Sequence, residues 1–422
     1  MATPQAMENV VCPFCSLACD DLVVEPEGKR LRLLRPACPL AEREFARDVP
    51  EAVGPLIEGA PASLEEAVAR AAAILARARL PLFAGLGTDV AGMRAVLTLA
   101  ERTGGIVDHA GSRGLMANIR TMQDGGWVTT TLAEVRNRAD LVLFVGTDTA
   151  DVTPRFVERC LAPSETLFGP IRRELVYLGD GLEPARDLDA RITALPCAAD
   201  DLAQALLALR ALLAGRRLGV QTIGALPVAA LAELAQKLTA ARYPVIVWAA
   251  GELPGESPDL LVGTLAALIK DLNVKGRCAG LPLAGPDDII GVNQVCTWQT
   301  GVPLRSGFMA GVPDHDPLRW DAGTLVASGA VDALLWLSSL RDQPVPDTGM
   351  PTIVLLRPGN TLPRPVEVVI PVGTPGLDHS GSVYRTDSVV SLPVRALRDT
   401  GLPGAAEVLR RIGAGLAPSR AA

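Results

Sequence analysis

The chain has 422 residues, and its composition, 49% hydrophobic and 21% charged, indicates a folded protein of two or three domains rather than a disordered one. A formal net charge of -7 disfavours nucleic acid as a partner, because nucleic-acid binding requires a basic surface. The N-terminal residues do not show the basic segment followed by an apolar segment that is typical of a signal peptide. No apolar run reaches the roughly 18 residues of a membrane span. We therefore expect a cytoplasmic protein with no membrane partner.

Residues 1–50 are predicted to form a small module that combines a cysteine-rich loop with a β-hairpin. Asp21–Glu25 (DLVVE) and Arg30–Leu34 (RLRLL) read as two strands around a Pro-Glu-Gly turn. Such a hairpin would return the chain so that Cys38 joins the cysteines of the preceding loop.

From about residue 62 onward, helices alternate with short apolar strands. Ser63–Glu66 (SLEE) predicts a capping box and a helix that ends near Arg79. Further helices are predicted at 90–103, 131–138, 228–241 and 258–272, and strands at 81–85, 105–109, 141–146, 244–250 and 333–337. This alternation predicts doubly wound parallel sheets, in which ligands bind beyond the carboxyl ends of the strands.

The order helix, strand, glycine turn, helix, excursion, helix, strand occurs twice along the chain. It predicts two related doubly wound α/β domains, residues 51–200 and 201–345. A C-terminal region, residues 346–422, adds the predicted strands Thr352–Leu356 and Val366–Pro371. The predicted fold class is therefore α/β: a small N-terminal iron–sulfur-type module, two related domains and a C-terminal α/β–β region.

Cys12, Cys15, Cys19 and Cys38 follow the spacing C-x2-C-x3-C-x18-C. Thiolates are soft ligands for iron, and three on one loop plus a distant fourth predict a 4Fe–4S cluster. Zinc is the main alternative, although structural zinc sites usually show two C-x2-C pairs. Four unliganded core cysteines are a further alternative, whereas disulfides are disfavoured in a cytoplasmic chain.

Four segments, spread over nearly the whole chain, carry a resemblance to a known family. They are VCPFCSLACDDL at 11–22, NRADLVLFVGTD at 137–148, NQVCTWQTGVP at 293–303 and SGSVYRTDSV at 380–389. In this order they resemble the B subunit of formylmethanofuran dehydrogenase, a branch of the molybdopterin oxidoreductase superfamily. The resemblance implies an iron–sulfur module, two related α/β domains and a pterin-binding C-terminal region.

The chain departs from that family at the metal site. Active members place a cysteine or selenocysteine, followed by a histidine, after the strand that corresponds to Gly105–His109, and the first of these ligates tungsten or molybdenum. By resemblance, Ser112 and Arg113 occupy these positions here. A serine hydroxyl is a poor substitute for a thiolate on these metals, and an arginine has no lone pair to donate near neutral pH. The resemblance thus implies a degenerate site with no catalytic residue, no tungsten or molybdenum and no bis-molybdopterin guanine dinucleotide.

Other positions of the chain match residues that contact the pterins in relatives. By resemblance these are Asp148 and Thr149 after a strand, Ser338–Asp342 after another, Trp298 and Gln299 in a predicted polar-aromatic loop, and Tyr384 and Arg385 in a predicted polar loop at 377–387. Helix capping, a contact with another protein and an ordinary surface loop are the alternatives for these residues.

A formyltransferase/hydrolase complex in methylotrophic bacteria resembles the dehydrogenase but performs no redox chemistry. In that family an amidohydrolase-like A subunit releases formate, and the C and D subunits complete the complex. The D subunit is a formyltransferase that uses tetrahydromethanopterin. A methanofuran-like carrier holds the formyl group. The resemblance implies a non-redox structural or binding B subunit that serves the conversion of formyl-tetrahydromethanopterin to formate in one-carbon metabolism. The alternative is the catalytic tungsten or molybdenum bis-pterin subunit of a formylmethanofuran dehydrogenase.

Overall fold

The computed structural model of the chain describes residues 6–35, 37–50, 54–186, 188–360, 362 and 364–416. The chain separates into two compact units: unit 1 is Met1–Ser112 with Pro286–Ala422, and unit 2 is Arg113–Gly285. The outer ends of the predicted N-terminal module and C-terminal region, 1–5 and 417–422, lie outside the described residues, as do 51–53.

Helices and strands alternate through both units, as the sequence pattern predicts. The helices are α1 Pro39–Phe45, α2 Leu64–Arg77, α3 Val90–Thr103, α4 Ser112–Gly125, α5 Leu132–Arg138, α6 Leu202–Leu213, α7 Val228–Ala240, α8 Pro258–Leu272, α9 Ile289–Thr300, α10 Ala322–Ser328 and α11 Ala405–Ala414. The strands are β1 Met7–Val10, β2 Leu22–Glu27, β3 Arg30–Leu33, β4 Leu56–Ile57, β5 Ala60–Pro61, β6 Pro81–Gly87, β7 Ile106–Val107, β8 Leu141–Val145, β9 Glu165–Thr166, β10 Gly169–Pro170, β11 Glu174–Gly179, β12 Arg191–Pro196, β13 Thr222–Ile223, β14 Leu226–Pro227, β15 Pro244–Ala249, β16 Ala279–Leu283, β17 Ser306–Gly307, β18 Asp314–His315, β19 Ala333–Ser338, β20 Thr352–Leu356, β21 Val368–Pro371, β22 Gly381–Tyr384 and β23 Ser391–Val394. None of the helices in these described ranges combines the length and apolar character that crossing a membrane requires.

Unit 2 is built on a five-stranded parallel sheet in the order β12-β11-β8-β15-β16. All residues of β8 (LVLFV) and β15 (PVIVWA) are buried, as expected for central parallel strands that are covered on both faces. Side chains of α6, α7 and α8 share one apolar core with these strands. This sheet confirms the predicted parallel α/β architecture.

Unit 1 is built on a nine-stranded sheet in the order β18-β17-β7-β6-β19-β20-β21-β4-β5. Its central strands β6, β19, β20 and β21 are parallel, and antiparallel strands close both edges. Gly85 in β6 has φ +76°, and a Cβ there would lie 2.8 Å from the carbonyl oxygen of Leu337. Only glycine therefore allows β6 and β19 to approach this closely.

The strand pairings group the chain differently from the predicted contiguous domains, 51–200 and 201–345. β6 pairs with β19 and β8 pairs with β15, so each large sheet combines strands from both predicted halves. β20 and β21, from the predicted separate region 346–422, belong to the nine-stranded sheet of unit 1. Parallel neighbours are joined by long crossovers, so their partners lie far apart in the sequence and the order of elements does not reveal them.

The N-terminal module contains the predicted hairpin. β2 and β3 pair in antiparallel register, and β1 adds a third strand beside β2. Helix α1 then begins directly after Cys38, which is its N-cap residue. This order places the cysteine loop, the hairpin and Cys38 in one small body within unit 1.

Candidate functional site

Ser112, which the resemblance matches to the metal-ligating cysteine, is buried at the start of α4 in unit 1. The Nε and Nη2 atoms of Arg305 lie 3.3 and 3.2 Å from its Oγ. The hydroxyl also hydrogen-bonds the carboxylate of Asp108. Ser112 thus accepts from a guanidinium and donates to a carboxylate, so its oxygen is fully used by side chains of the chain itself.

Arg305 lies at the centre of the cluster that it forms with Ser112, Asp108 and Asp321, which we call the Ser112 pocket. Only 9% of the Arg305 side chain is exposed. Its guanidinium is 2.5 Å from Asp321 Oδ2 and 3.6 Å from Asp108 Oδ2, and it also donates to the carbonyl of Pro317. The backbone of Arg305 adopts φ +62°, a left-handed conformation that costs a non-glycine residue about 1 kcal/mol or more. Such strain persists where surrounding contacts fix the residue, as the ion pairs do here.

Asp108 is the buried anion of the same pocket. Burial raises its pKa to about 6, against the opposing effects of the Arg305 guanidinium and of hydrogen bonds from Ser112 and Ala322. Its two carboxylate oxygens each accept one backbone N–H at 2.9 Å, from His109 and from Ala322. Because this pKa stays below 7, Asp108 is ionised at neutral pH and balances Arg305.

His109 follows Asp108 and is buried as well, with both ring nitrogens engaged. Its Nδ1 accepts the N–H of Gly111 at 2.9 Å, and its Nε2 lies 3.3 Å from the carbonyl oxygen of Asp287. This pattern fixes the neutral tautomer that carries its proton on Nε2. Burial lowers the pKa of His109 to about 4. The residue therefore has no free lone pair for a metal and is structural.

Arg113, matched by resemblance to the histidine of active members, does not contribute to this pocket. It is exposed, and its guanidinium donates to the carbonyl of Gly255 within unit 2. The next residue, Gly114, packs so closely that a Cβ would lie 2.6 Å from the backbone nitrogen of Gly251. Ser112 is therefore paired with the distant Arg305 and not with its sequence neighbour Arg113.

Ser338–Asp342, at the carboxyl end of β19, carries internal ion pairs. Arg47 Nη1 lies 2.7 and 2.6 Å from the carboxylate oxygens of Asp342. The buried Arg357 pairs with Glu44 of α1 at 2.8 Å. The pocket beside them has a volume of about 160 Å³, below the roughly 300–1,000 Å³ of small-molecule sites.

The donor groups of unit 1 do not suit the tungsten or molybdenum bis-pterin of active dehydrogenases. The pocket around Ser112 offers a hydroxyl beside a guanidinium in place of a soft thiolate, and a fixed cation there repels a metal ion. The cavity of about 160 Å³ beside the end of β19 is bordered by Asp342, which forms an ion pair with Arg47. The described side chains around Ser112 therefore do not fit the metal of that group.

The four cysteines of the quartet are all buried in the N-terminal module. The amide of Cys12 donates to the carbonyl of Cys19 at 2.8 Å, and the Sγ of Cys38 accepts the N–H of Ala41 at 3.4 Å. Burial raises the pKa of the Cys12 thiol well above its usual range, and the neighbouring sulfurs of Cys15, Cys19 and Cys38 raise it further. The sulfurs of Cys15, Cys19 and Cys38 thus lie close enough to that of Cys12 to interact with it electrostatically.

This donor set has the chemistry of a cluster ligand set. Four adjacent buried thiols become thiolates only where a cation compensates them, and four cysteine sulfurs are the ligands of a 4Fe–4S cluster. Burial raises the pKa of Cys15, and the backbone amides of Leu17 and Ala18, which donate to its sulfur, offset only part of this rise. Among the described residues, no group of three or more histidine, cysteine, aspartate and glutamate side chains is arranged to hold a single metal ion. The cluster itself stays a prediction.

Asp148 and Thr149 lie in unit 2, in the turn after β8. The two carboxylate oxygens of Asp148 accept backbone N–H groups from Ala150 and Glu183, each at 2.9 Å. Thr149 is buried with φ +73°, and its amide donates to the hydroxyl of Thr147 at 3.0 Å. Both residues therefore stabilise the turn, and a contact of either one with a pterin stays a prediction.

Trp298, Gln299, Tyr384 and Arg385 lie in unit 1. The prediction of a polar-aromatic loop is wrong, because Trp298 and Gln299 form the exposed last turn of α9. This helix is capped by Gly301, which has φ +80°. The Trp298 ring centroid is 6.2 Å from that of Tyr384 in β22. Arg385 reaches back to Asp20 at 3.2 Å. The structure thus joins the aromatic pair and ties the Arg385 loop to the cysteine module.

The sequence prediction missed Arg305 altogether. A weak signal was present, because this arginine directly follows the apolar residues 302–304, and a charged residue that becomes buried is almost always paired. Its partner Ser112 lies 193 residues earlier, so no local pattern joins the two.

Three comparisons with known proteins place the chain among its relatives. No protein-family model matches the chain. It is similar to the B subunit of the formyltransferase/hydrolase complex Fhc of Methylorubrum extorquens, with 34% identity over 331 residues that cover 78% of this chain and 87% of the relative. It is also similar to the B subunit of the tungsten-containing formylmethanofuran dehydrogenase 2 of Methanocaldococcus jannaschii, with 26% identity over 404 residues that cover 91% and 92% of the two chains.

Among solved structures, the chain is similar to one polypeptide of the formyltransferase/hydrolase complex (FhcABCD) from Methylorubrum extorquens in complex with methylofuran. The TM-score is 0.73 at 33% sequence identity, and the match covers 85% of this chain and 97% of that polypeptide.

Proposed function

The chain belongs to the B-subunit family of formyltransferase/hydrolase complexes, and we propose that it serves as the non-redox B subunit of such a complex. The complex would convert formyl-tetrahydromethanopterin to formate through a methanofuran-like carrier in one-carbon metabolism. Its partners would be an amidohydrolase-like A subunit and the C and D subunits, of which D is the formyltransferase.

The proposal rests on the contact between Arg305 and Ser112. The guanidinium of Arg305 lies 3.2 Å from the hydroxyl of Ser112, the residue matched to the metal-ligating cysteine of active dehydrogenases. A site with a hydroxyl and a fixed cation cannot offer tungsten or molybdenum the soft anionic ligand that these metals take in relatives. The alternative, a catalytic tungsten or molybdenum subunit, is supported by overall sequence similarity. No residue of the Ser112 pocket supports it.

Within the complex, the role of this chain would be to hold the neighbouring polypeptides and help to enclose the carrier. Cys12, Cys15, Cys19 and Cys38 would bind a 4Fe–4S cluster, and the chemistry of that group in general is electron transfer. Without a metal site to serve, the cluster would act as a staple for the N-terminal module. All eight cysteines are free, which is consistent with the reducing cytoplasm that we propose as the location.

The proposal is tested by reconstitution. The chain is co-expressed with its three partners, and formate release from formyl-tetrahydromethanopterin is measured without an added electron acceptor. We expect release with the full set, and loss of assembly or of release when this chain is omitted. Formate oxidation that depends on an added viologen dye would contradict the proposal and favour the dehydrogenase alternative.

A further inference from the structure

We infer that the guanidinium of Arg305 is the resident cation of the Ser112 pocket, held where related dehydrogenases keep a metal ion. This inference deepens the proposed function, which says only that the site is inactive. It assigns the loss of the metal to a replacement by a side chain, and not to the missing cysteine alone.

Several oxygens converge on this one positive group. The Arg305 guanidinium is 2.5 Å from Asp321 Oδ2 and 3.6 Å from Asp108 Oδ2. The hydroxyl of Ser112 is within 3.3 Å of two guanidinium nitrogens. Two carboxylates and a hydroxyl around one point make a donor set of the kind that binds a hard cation, and Arg305 supplies that positive charge permanently.

Two charged groups of the pocket, Arg305 and Asp108, are buried, whereas the side chain of Asp321 is 28% exposed. The side chains of Arg305 and Asp108 are 9% and 2% exposed, so solvent screens the charges of this pair only weakly. A buried carboxylate left without its partner is strongly unfavourable. The pocket therefore needs a cation to remain folded, whether that cation is a guanidinium or an added ion.

The backbone of Arg305 is fixed in a strained conformation. It is held at φ +62°, and its amide donates to the carbonyl of Val107 in β7 at 3.1 Å. Asp321, which receives the guanidinium, is the N-cap of α10. Arg305 thus contacts β7, the start of α4 and the start of α10. We infer that its positive charge stabilises the packing of these three segments.

The inference is tested by chemical rescue of the full chain. Arg305→Ala should lower the midpoint of thermal unfolding by roughly 10 °C, because one partner of a buried ion pair is removed. Millimolar methylguanidinium should restore at least half of that loss, and methylurea, which has a similar shape and no charge, should restore none. Cadmium or calcium alone should also restore part of it, since both carboxylates remain.

Two further variants supply the controls. Arg305→Lys keeps a positive charge, so it should lose less stability than Arg305→Ala and should gain nothing from the added cations; it also serves if the alanine variant fails to fold. Arg364→Ala removes a more exposed arginine that pairs with Asp347, and neither the removal nor the added ions should shift unfolding by more than about 2 °C.

Two results would overturn the inference. One is a loss of stability in Arg305→Ala that no cation restores, and the other is an equal effect of methylurea and methylguanidinium. Either result would leave the non-redox function untouched, because that function is measured by acceptor-independent formate release. Conversely, rescue of Arg305→Ala by cations, in a chain whose assembled complex releases no formate from formyl-tetrahydromethanopterin, would sink the proposed function and keep the inference.

Discussion

The neutral state of His109 leads to a prediction about pH. The histidine is buried, and its pKa is lowered from 6.5 to about 4, chiefly by burial. An unfolded chain takes up this proton near pH 6.5, whereas the folded chain resists it until about pH 4, so the free energy of unfolding falls as the pH drops through this window. At about 1.4 kcal/mol for each pKa unit, the effect amounts to about 3 kcal/mol between pH 7 and pH 4.

The assay compares wild type with His109→Gln. Urea unfolding at several pH values gives both free energies, and the difference between the two proteins removes the titration of other groups, Asp108 among them. Glutamine retains an N–H donor for the carbonyl of Asp287 and does not titrate. We expect the advantage of wild type over the variant to shrink by about 3 kcal/mol from pH 7 to pH 4.

Nuclear magnetic resonance checks the same point directly, because the chain has three histidines. The signal that disappears in His109→Gln should show no titration above pH 5 and should not shift when zinc is added. His379→Gln is the matched control and should keep the His109 signal unchanged. A His109 signal that titrates near pH 6.5, or that responds to zinc, would refute the structural role assigned to this residue.

Three further predictions concern the cysteine module and the sheet of unit 1. Cys12→Ser combined with Cys15→Ser should lower iron content and the yield of assembled complex but leave the turnover of assembled complex unchanged; a normal yield with lost turnover would contradict the staple role. Arg357→Met should destabilise the chain by about 3 kcal/mol in urea unfolding, because it leaves the buried carboxylate of Glu44 with only the exposed Arg43 as an ion-pair partner. Limited proteolysis should then cut the N-terminal module sooner, and a loss below about 1 kcal/mol would argue against a buried pair. Gly28→Ala is expected to lower the free energy of unfolding by about 1 kcal/mol, and Gly85→Ala should lower it by much more. Both glycines have a positive φ, but of the two only at Gly85 would an added Cβ meet other atoms. Equal losses in urea unfolding would contradict the close packing.

Local signals in the sequence were sufficient for many elements of the fold. The SLEE segment forms the predicted capping box, with Ser63 as N-cap and Glu66 returning a hydrogen bond. Helix α3 has the predicted bounds, Val90–Thr103. The hairpin β2–β3 and the strands β8 and β15 also lie where the apolar patterns predicted them, because capping, turn residues and burial act over a few neighbouring residues.

The parts that were missed depend on long-range contacts. Helix α9, Ile289–Thr300, has no charged residue and no clear polar stripe, so its sequence lacks the periodic pattern by which a helix is recognised. The pairing of β6 with β19 joins strands that belong to different predicted domains. Arg305 contacts Ser112 only after the chain has folded. Its left-handed backbone conformation is uncommon for arginine, so the residue type does not predict it.

The candidate site was predicted in part. Ser112, to which the resemblance directed attention, lies in a buried contact with Arg305, and the loss of a metal ligand there stays a prediction. The cysteine quartet lies close enough for its sulfurs to raise the pKa of Cys12, and its cluster stays a prediction as well. The sequence did not predict the residue that pairs with Ser112, which is the distant Arg305, whereas the neighbouring Arg113 donates to Gly255. Adjacent residues at the start of a helix point in different directions, so sequence neighbours need not share a site.

The most direct test of the non-redox function is elemental analysis of the assembled four-component complex, purified without oxygen and shown to release formate. Tungsten, molybdenum and the fluorescent oxidation products of molybdopterin are measured in the same sample as formate release without an electron acceptor. We predict full formate release with tungsten, molybdenum and pterin all far below one per copy of this chain. Tungsten or molybdenum in equal amount to the chain, together with pterin, would contradict the non-redox function.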